Sequence, residues 1–176
     1  LKAYLASLPH IKQANKPHEL RAPYGWRIGI RVWKWLYFEP GTFQPDAKQT
    51  PAWNRGAYLA TALGHCTECH TPRTRMGGLQ SAMAYAGAAE GPEGETAPNI
   101  TPDKETGIGT WSTADFVWLM QTGLKPDGDD TQGLMSTLIE HGYTHLTEAD
   151  LQAMATYFQA LPPIRHKVVK PAKGRD

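Results

Sequence analysis

Cysteine is scarce in this sequence, with two in 176 residues. So small a number excludes a disulfide-stapled secreted scaffold and any zinc site built on four cysteines. No uninterrupted apolar run approaches the ~18 residues that a helix needs to span a bilayer unaided. A signal-peptide pattern is also missing, and the first residue is Leu1, not Met, from which we expect a processed chain or a fragment. Gly and Pro, by contrast, are plentiful at 17 and 14 residues. They point to long irregular stretches between helices, not to a dense helical bundle. With 40% hydrophobic and 20% charged residues, the chain can form a packed core, and wholesale disorder is excluded.

The net charge of +1 conceals an asymmetry along the chain. Residues 1–52 carry eight Lys/Arg against three Asp/Glu, residues 53–164 five against thirteen, and residues 165–176 five against one. An acidic body with basic arms does not suit nucleic acid, which needs its cations on the folded surface. Either the arms wrap their own body or they dock an acidic partner or a membrane surface. Acidic runs at Glu90–Glu95 and Asp127–Asp130 are read as solvated loops or as surfaces that steer a basic partner, the former preferred for Glu90–Glu95.

The two cysteines stand three residues apart and a histidine follows: Cys66-Thr67-Glu68-Cys69-His70. This is the C-x-x-C-H pattern of c-type haem attachment. Two thiols at this spacing reach both vinyl groups of one porphyrin, and the next residue sets an imidazole beneath the iron. The alternatives fit less well. A thioredoxin-like pair needs a βαβ context that the flanks lack, and a zinc site from His65, Cys66, Cys69 and His70 crowds all its ligands into one short stretch. A Cys66–Cys69 disulfide leaves His70 unexplained. Upstream, Gly56–Leu63 reads as a helix that delivers the chain to the cysteines, with Gly64 as its stop. Pro72 lacks an N–H, so a free carbonyl is expected in its neighbourhood to fix the His70 Nδ1 proton.

A sixth ligand has several candidates. Met76 and Met83 follow His70 too closely to cross the porphyrin. Met120 and Met154 lie in helices capped by Ser112–Asp115 and Thr147–Asp150, where a core role is preferred. Met135 follows the loop Lys125–Gly133, which can bring a thioether over the open haem face, and it is our choice. His141 and His145 are its rivals.

Several stretches together carry a family resemblance: Arg55–Leu59 before Cys66, Ala97–Asp103, Thr106–Gly109, Trp111-Ser112, and Met135 ahead of His145–Leu151. They resemble the cytochrome c subunits, often with two or three haems, that serve periplasmic alcohol, aldehyde, sugar-acid and related dehydrogenases. The resemblance implies an all-α, cytochrome c-like helical domain around one covalent haem c, preceded by an extended Trp-rich N-terminal strap. It implies that Cys66 and Cys69 attach the haem, that His70 and Met135 bind iron, and that the Asn99–Thr101 loop and Trp111 lie near the haem edge or propionates. For Trp111 a core role ahead of a helix cap is the alternative. In the implied fold the first and last helices cross, with Gly56 as a notch filled by Tyr157 or Phe158.

An internal echo pairs Tyr4–Ile11 with Tyr157–Ile164, identical at four of eight positions. We therefore expect residues 1–11 to be the final helix of a preceding haem domain, 12–52 a strap, 53–164 the haem domain and 165–176 a basic tail. In the strap, Arg27, Arg31 and Lys34 fall on one helical face among Trp26, Trp33 and Trp35. This stretch could pack on the haem body, dock a partner or lie on a membrane surface. The functional expectation is a periplasmic electron carrier whose partners are a dehydrogenase subunit, an oxidase or another cytochrome, associated with a membrane complex. The alternatives are a haem enzyme with a displaceable distal site and a structural anchor of such a complex.

Overall fold

A computed structural model describes residues 2–21 and 25–170, the side chain of Pro92 excepted. Its helices are α1 (Lys2–Ser7), α2 (Arg27–Tyr37), α3 (Pro51–Tyr58), α4 (Cys66–His70), α5 (Thr113–Thr122), α6 (Gly133–His141) and α7 (Glu148–Gln159). Pairing of extended backbone among the described residues is limited to three isolated bridges, so the all-α expectation holds. None of the described helices is long and apolar enough to cross a membrane. The chain divides into two compact units, Leu1–Glu39 and Pro40–Asp176.

The first unit holds α1 and α2. The helical spacing of Arg27, Arg31 and Lys34 is realised in α2, where strict strand alternation would have separated them. Within this unit Trp33 stacks at a tilt on Tyr37, with ring centres 5.4 Å apart, and the Lys34 ammonium lies 4.9 Å from the Phe38 ring centre. The second unit begins at Pro40, and residues 40–50 are tied into it. Phe43 meets Tyr58 edge-on, and Asn54 exchanges hydrogen bonds with the Asp46 backbone.

Local chemistry sets the ends of the main helices. Thr50 Oγ1 accepts the Trp53 amide, and Pro51 occupies the first turn of α3, where a missing N–H costs nothing. The expected capping box is formed at α5: Asp115 N–H donates to Ser112 Oγ, and Ser112 N–H donates to Asp115 Oδ2. At α7 Thr147 Oγ1 accepts the Asp150 amide, one half of such a box. Gly123, in the left-handed region at φ 77°, ends α5.

The core gathers where α7 lies across α3 and α5. Phe158, Leu151 and Met154 are fully buried and pack with Ala57, Leu59, Ala60, Phe116 and Met120. Burying a side chain such as Phe158 contributes about 2–3 kcal/mol. Gly56 sits at the crossing. A Cβ there would overlap the Ala153 carbonyl and lie 2.9 Å from Tyr157 Cβ. The expected notch is therefore present, and Ala153 and Tyr157 fill it while Phe158 turns to Tyr85 and Phe116. Trp53 meets the Tyr157 ring edge-on, and the Tyr157 and Tyr85 hydroxyls lie 3.1 Å apart. At the rim, Arg55 makes a two-pronged bond to Asp150, at 2.7 and 3.0 Å.

Beyond Leu161 the chain runs extended over the same unit, where Arg165 pairs with Glu105 at 2.5 Å. Here the basic tail does lie on the acidic body as far as Val168; residues 171–176 of that tail, like Leu1 of the terminal helix and residues 22–24 of the strap, lie outside the described residues.

Two outcomes follow for the crossing. Gly56→Leu should cost roughly 3 kcal/mol or more, because a backbone carbonyl cannot yield to the new side chain; an unchanged thermal midpoint would refute the packing described. The Arg55 hydrogen bond holds the Asp150 carboxyl below its ordinary value. Its contribution is fully present above the ordinary carboxyl value of about 3.9 and is lost as pH falls through the depressed one. Asp150→Asn should thus cost ~0.5–1 kcal/mol at neutral pH, the bridge being partly exposed. The gap to the parent should close in acid when both are followed by denaturant unfolding.

Candidate haem site

The segment joining α3 to α4 departs from regular helix just before the cysteines. Leu59–Leu63 is wound as a π-helix, closed by a 2.7 Å bond from the Gly64 amide to the Leu59 carbonyl. Such insertions concentrate at functional sites. His65 then takes a left-handed conformation at φ 48°, uncommon outside glycine, although His, like Asn and Asp, adopts it more readily than most residues. This double break redirects the chain into α4, a single turn from Cys66 to His70. Residues three apart on a helix share a face, so the two thiols are neighbours. Both are free.

His70 is 7% exposed. Its Nδ1 lies 2.8 Å from the Pro98 carbonyl oxygen. A carbonyl only accepts, so Nδ1 carries the proton and Nε2 keeps its lone pair. Burial pushes the imidazole below its ordinary value, which favours the neutral, metal-ligating form at neutral pH. Burial likewise pushes the Cys66 thiol up to about 11, against a smaller lowering by the Tyr143 hydroxyl 4.0 Å away. Cys69 is raised too, first by burial and then by the charge of Glu68.

These groups face one cavity of about 590 Å³, with walls that include Ile100, Ile108, Trp111, Phe116, Leu119 and Phe158. The volume lies within the roughly 300–1,000 Å³ of cofactor pockets. Cys66, Cys69, His70, Met135, Asn99 and Trp111 all line it. A neutral imidazole with a free Nε2, two adjacent thiols, a thioether and apolar walls are the donor set and surroundings that haem c requires, so the residues present fit that group. Among the described residues no group of three or more His, Cys, Asp or Glu is arranged to hold a metal ion. The clustered zinc alternative therefore finds no support.

Several expectations need amendment. The carbonyl that fixes His70 belongs to Pro98, not to the neighbourhood of Pro72. Pro72's own carbonyl accepts the Gln80 amide, and Pro72 does not line the cavity. Thr101 is buried beside Asn99 but does not line the cavity either. Met135 sits in the first turn of α6, so a helix carries it to the cavity, not a loop. Met120 is in the core as expected and also reaches the cavity wall. His141 and His145 are exposed and contribute nothing to the lining.

No protein-family model matches the chain. Curated relatives do. A diheme cytochrome c-type protein of Cereibacter sphaeroides is 36% identical over 165 residues, 93% of this chain and 53% of that protein. The gluconate 2-dehydrogenase cytochrome c subunit of Pantoea cypripedii is 32% identical, over 92% of this chain and 39% of the relative. For the fructose dehydrogenase cytochrome subunit of Gluconobacter japonicus the values are 37%, 83% and 28%. The chain thus spans about half the length of the first of these relatives and less of the others.

One site residue escaped the sequence reading altogether. Glu95 belongs to an acidic run read as solvated, yet its Oε2 accepts the Leu134 amide at 2.8 Å and its carboxylate packs against Gly133. Gly133 has φ 63° and no Cβ to obstruct that approach. Glu95 thereby caps α6 from outside, next to Met135, and complements the positive end of the helix. Nothing in the local sequence signals a cap from 39 residues away. Glu95→Ala should cost about 1 kcal/mol, with Glu95→Gln recovering most of it because its carbonyl oxygen still accepts. Equal stability of all three proteins in urea would remove the cap.

Proposed function

The chain is homologous to the cytochrome c subunits of dehydrogenases, and on that premise we propose that it passes electrons, through one haem held by Cys66 and Cys69, from a periplasmic dehydrogenase toward the respiratory chain. The observation that carries this reading is the company His70 keeps: a buried neutral imidazole with Nδ1 committed to a carbonyl shares one apolar cavity with two free thiols and a methionine. When bound, the haem supplies a one-electron couple, its iron alternating between Fe(III) and Fe(II).

The protein's part is positional and electrostatic. Cys66 and Cys69, both free and both at the cavity, would hold the porphyrin through two thioether bonds and set its orientation. His70 presents Nε2 because Pro98 holds the opposite nitrogen. Met135, on the capped first turn of α6, would hold the iron through its thioether. A thioether and a water-poor lining both favour the reduced state, since the extra positive charge of the oxidised state is poorly solvated there. Acidic side chains outnumber the lysine in the cavity lining, Glu95, Asp129 and Asp130 against Lys125, which pairs with Asp129, and this excess suits a basic redox partner. A dehydrogenase subunit, an oxidase or another cytochrome would meet the chain there, in association with a membrane complex.

Expression with a haem-attachment system tests this directly. Intact mass should show one covalent haem, absent after Cys66→Ser with Cys69→Ser. The oxidised protein should show the weak near-infrared band of sulfur-to-iron charge transfer. Met135→Ala should abolish that band and lower the midpoint potential, and Met120→Leu should leave both in place. Survival of the band in Met135→Ala would remove Met135 as ligand; a parent chain without covalent haem would overturn the reading as a whole.

A further inference from the structure

The segment that follows the last helix does more than terminate the chain. From Ile164 to Val169 it is extended, with Ile164, His166 and Val168 half-buried and Arg165, Lys167 and Val169 exposed, the alternation of a strand with one face against a surface. That surface is made of the two loops that hold His70 from either side.

On one side stands the loop bearing Pro98, whose carbonyl accepts His70 Nδ1–H. The residue after it, Asn99, is buried and spends its whole amide on the contact. Its Nδ2 donates to the Ile164 carbonyl at 2.7 Å and to Thr106 Oγ1 at 3.0 Å, while its Oδ1 accepts the Thr101 amide and hydroxyl at 2.9 and 2.8 Å. Thr101 Oγ1 in turn accepts the Ile164 amide at 3.2 Å, and Thr106 Oγ1 accepts the His166 amide at 3.0 Å. Thr106 donates its own hydroxyl proton to Asp103 Oδ1 at 2.7 Å, which completes its bonding.

On the other side stands Ala86-Gly87. The Gly87 amide donates to the His70 carbonyl at 2.7 Å, and His166 Nδ1 donates to the Ala86 carbonyl at 2.8 Å. Gly87 has φ 86°, and a Cβ on it would lie 2.5 Å from Val168 Cγ2 and 2.7 Å from Pro98 C. Val168, Gly87 and the Pro98–Asn99 backbone are therefore in direct contact, with no room for a side chain between them.

We infer that Ile164–Val168 is a positioning strap for His70, locking together the two backbone groups that hold it: the Pro98 carbonyl on Nδ1 and the Gly87 amide on the His70 carbonyl. The inference rests on the haem reading above. Its physical consequence is electronic. A well-placed carbonyl on Nδ1–H makes the imidazole a more basic ligand and so stabilises the oxidised iron. Loosening that carbonyl should shift the couple toward Fe(II).

Thr101→Val and His166→Leu test the strap without touching the cavity lining, and Thr101→Ser is the rescue that retains the hydroxyl. Each is made in the haem-loaded chain. The readouts are the midpoint potential and, by NMR, the solvent-exchange rates of the His70 Nδ1 proton and the Gly87 amide. Thr101→Val and His166→Leu should each shift the Fe(III)/Fe(II) equilibrium about tenfold toward Fe(II), 59 mV upward, and speed both exchanges at least tenfold, with Thr101→Ser near the parent. Lower thermal stability with the parent's potential and exchange rates would reduce the strap to a structural brace and overturn the inference. Should Thr101→Val fail to fold, His166→Leu carries the same comparison, because it leaves the strap backbone bonds in place. A parent chain lacking covalent haem would strike the haem reading alone. Gly87 exchange in the same variants would still decide whether the strap holds the His70 backbone.

Discussion

One backbone carbonyl, that of Ala153, occupies the space where residue 56 would carry a side chain. This contact sets the distance between α3 and α7, and with it the depth at which Trp53 and Tyr157 meet and at which Phe158 enters the core. Because Gly56 adds no bulk, the helices approach at backbone range and the aromatic side chains on either side close over the crossing. The path to the cysteines starts from that anchored helix. The π-wound turn, the left-handed His65 and the short α4 are all placed relative to α3, and α3 is placed by α7. The cavity is thus secured by an interaction to which none of its proposed ligands contributes.

Burial then decides the chemistry of those ligands. The same apolar walls keep His70 neutral and the two cysteines protonated, by making charge expensive on each. For an imidazole the effect is enabling, since the neutral ring is the ligating form. For the thiols it favours the protonated, less readily oxidised state. The polar groups near them are not left to chance either. Pro98 accepts from His70, and no buried side-chain nitrogen or oxygen among the described residues lacks a hydrogen-bond partner.

What sequence conveyed and what it withheld divide along the length scale of the interaction. Ser112–Asp115 and Thr147–Asp150 were legible because a cap is completed within four residues. Cys66–His70 stands out because its spacing suits c-type haem attachment, and Cys66, Cys69 and His70 do line one cavity. Gly56 and the last helix could be paired because the resemblance implied a crossing. Two assignments failed for a single reason. The acceptor for His70 is 28 residues away, at Pro98, where local reasoning looked to Pro72. The cap on α6 comes from Glu95, 39 residues back. The tail follows the first of its two expectations, against its own body, but the grip itself was not legible: Thr106 holds the His166 amide, and Asn99 and Thr101 hold Ile164 just before it, through main-chain groups that carry no side-chain signature. Met135 was chosen as a residue a loop could swing, and the helix under it was missed because Gly133 opens α6 with a capping partner outside its own segment.

The π-wound turn between α3 and α4 carries a consequence for sequence change. An α-helix advances by about 100° for each residue, and a π-turn absorbs one residue more than an α-turn does. Leu59–Leu63 therefore fits an extra residue into the approach to the cysteines at almost no change of phase. Deleting one residue there would let the segment relax to ordinary α-helix, mend the local hydrogen bonding and leave the following residues at nearly the same bearing relative to Gly56. Winding the same five residues as ordinary α-helix, with none removed, would instead turn the chain that leads to Cys66 well away from its present bearing. The irregular turn thus carries a surplus residue while the crossing and the cysteines stay in phase.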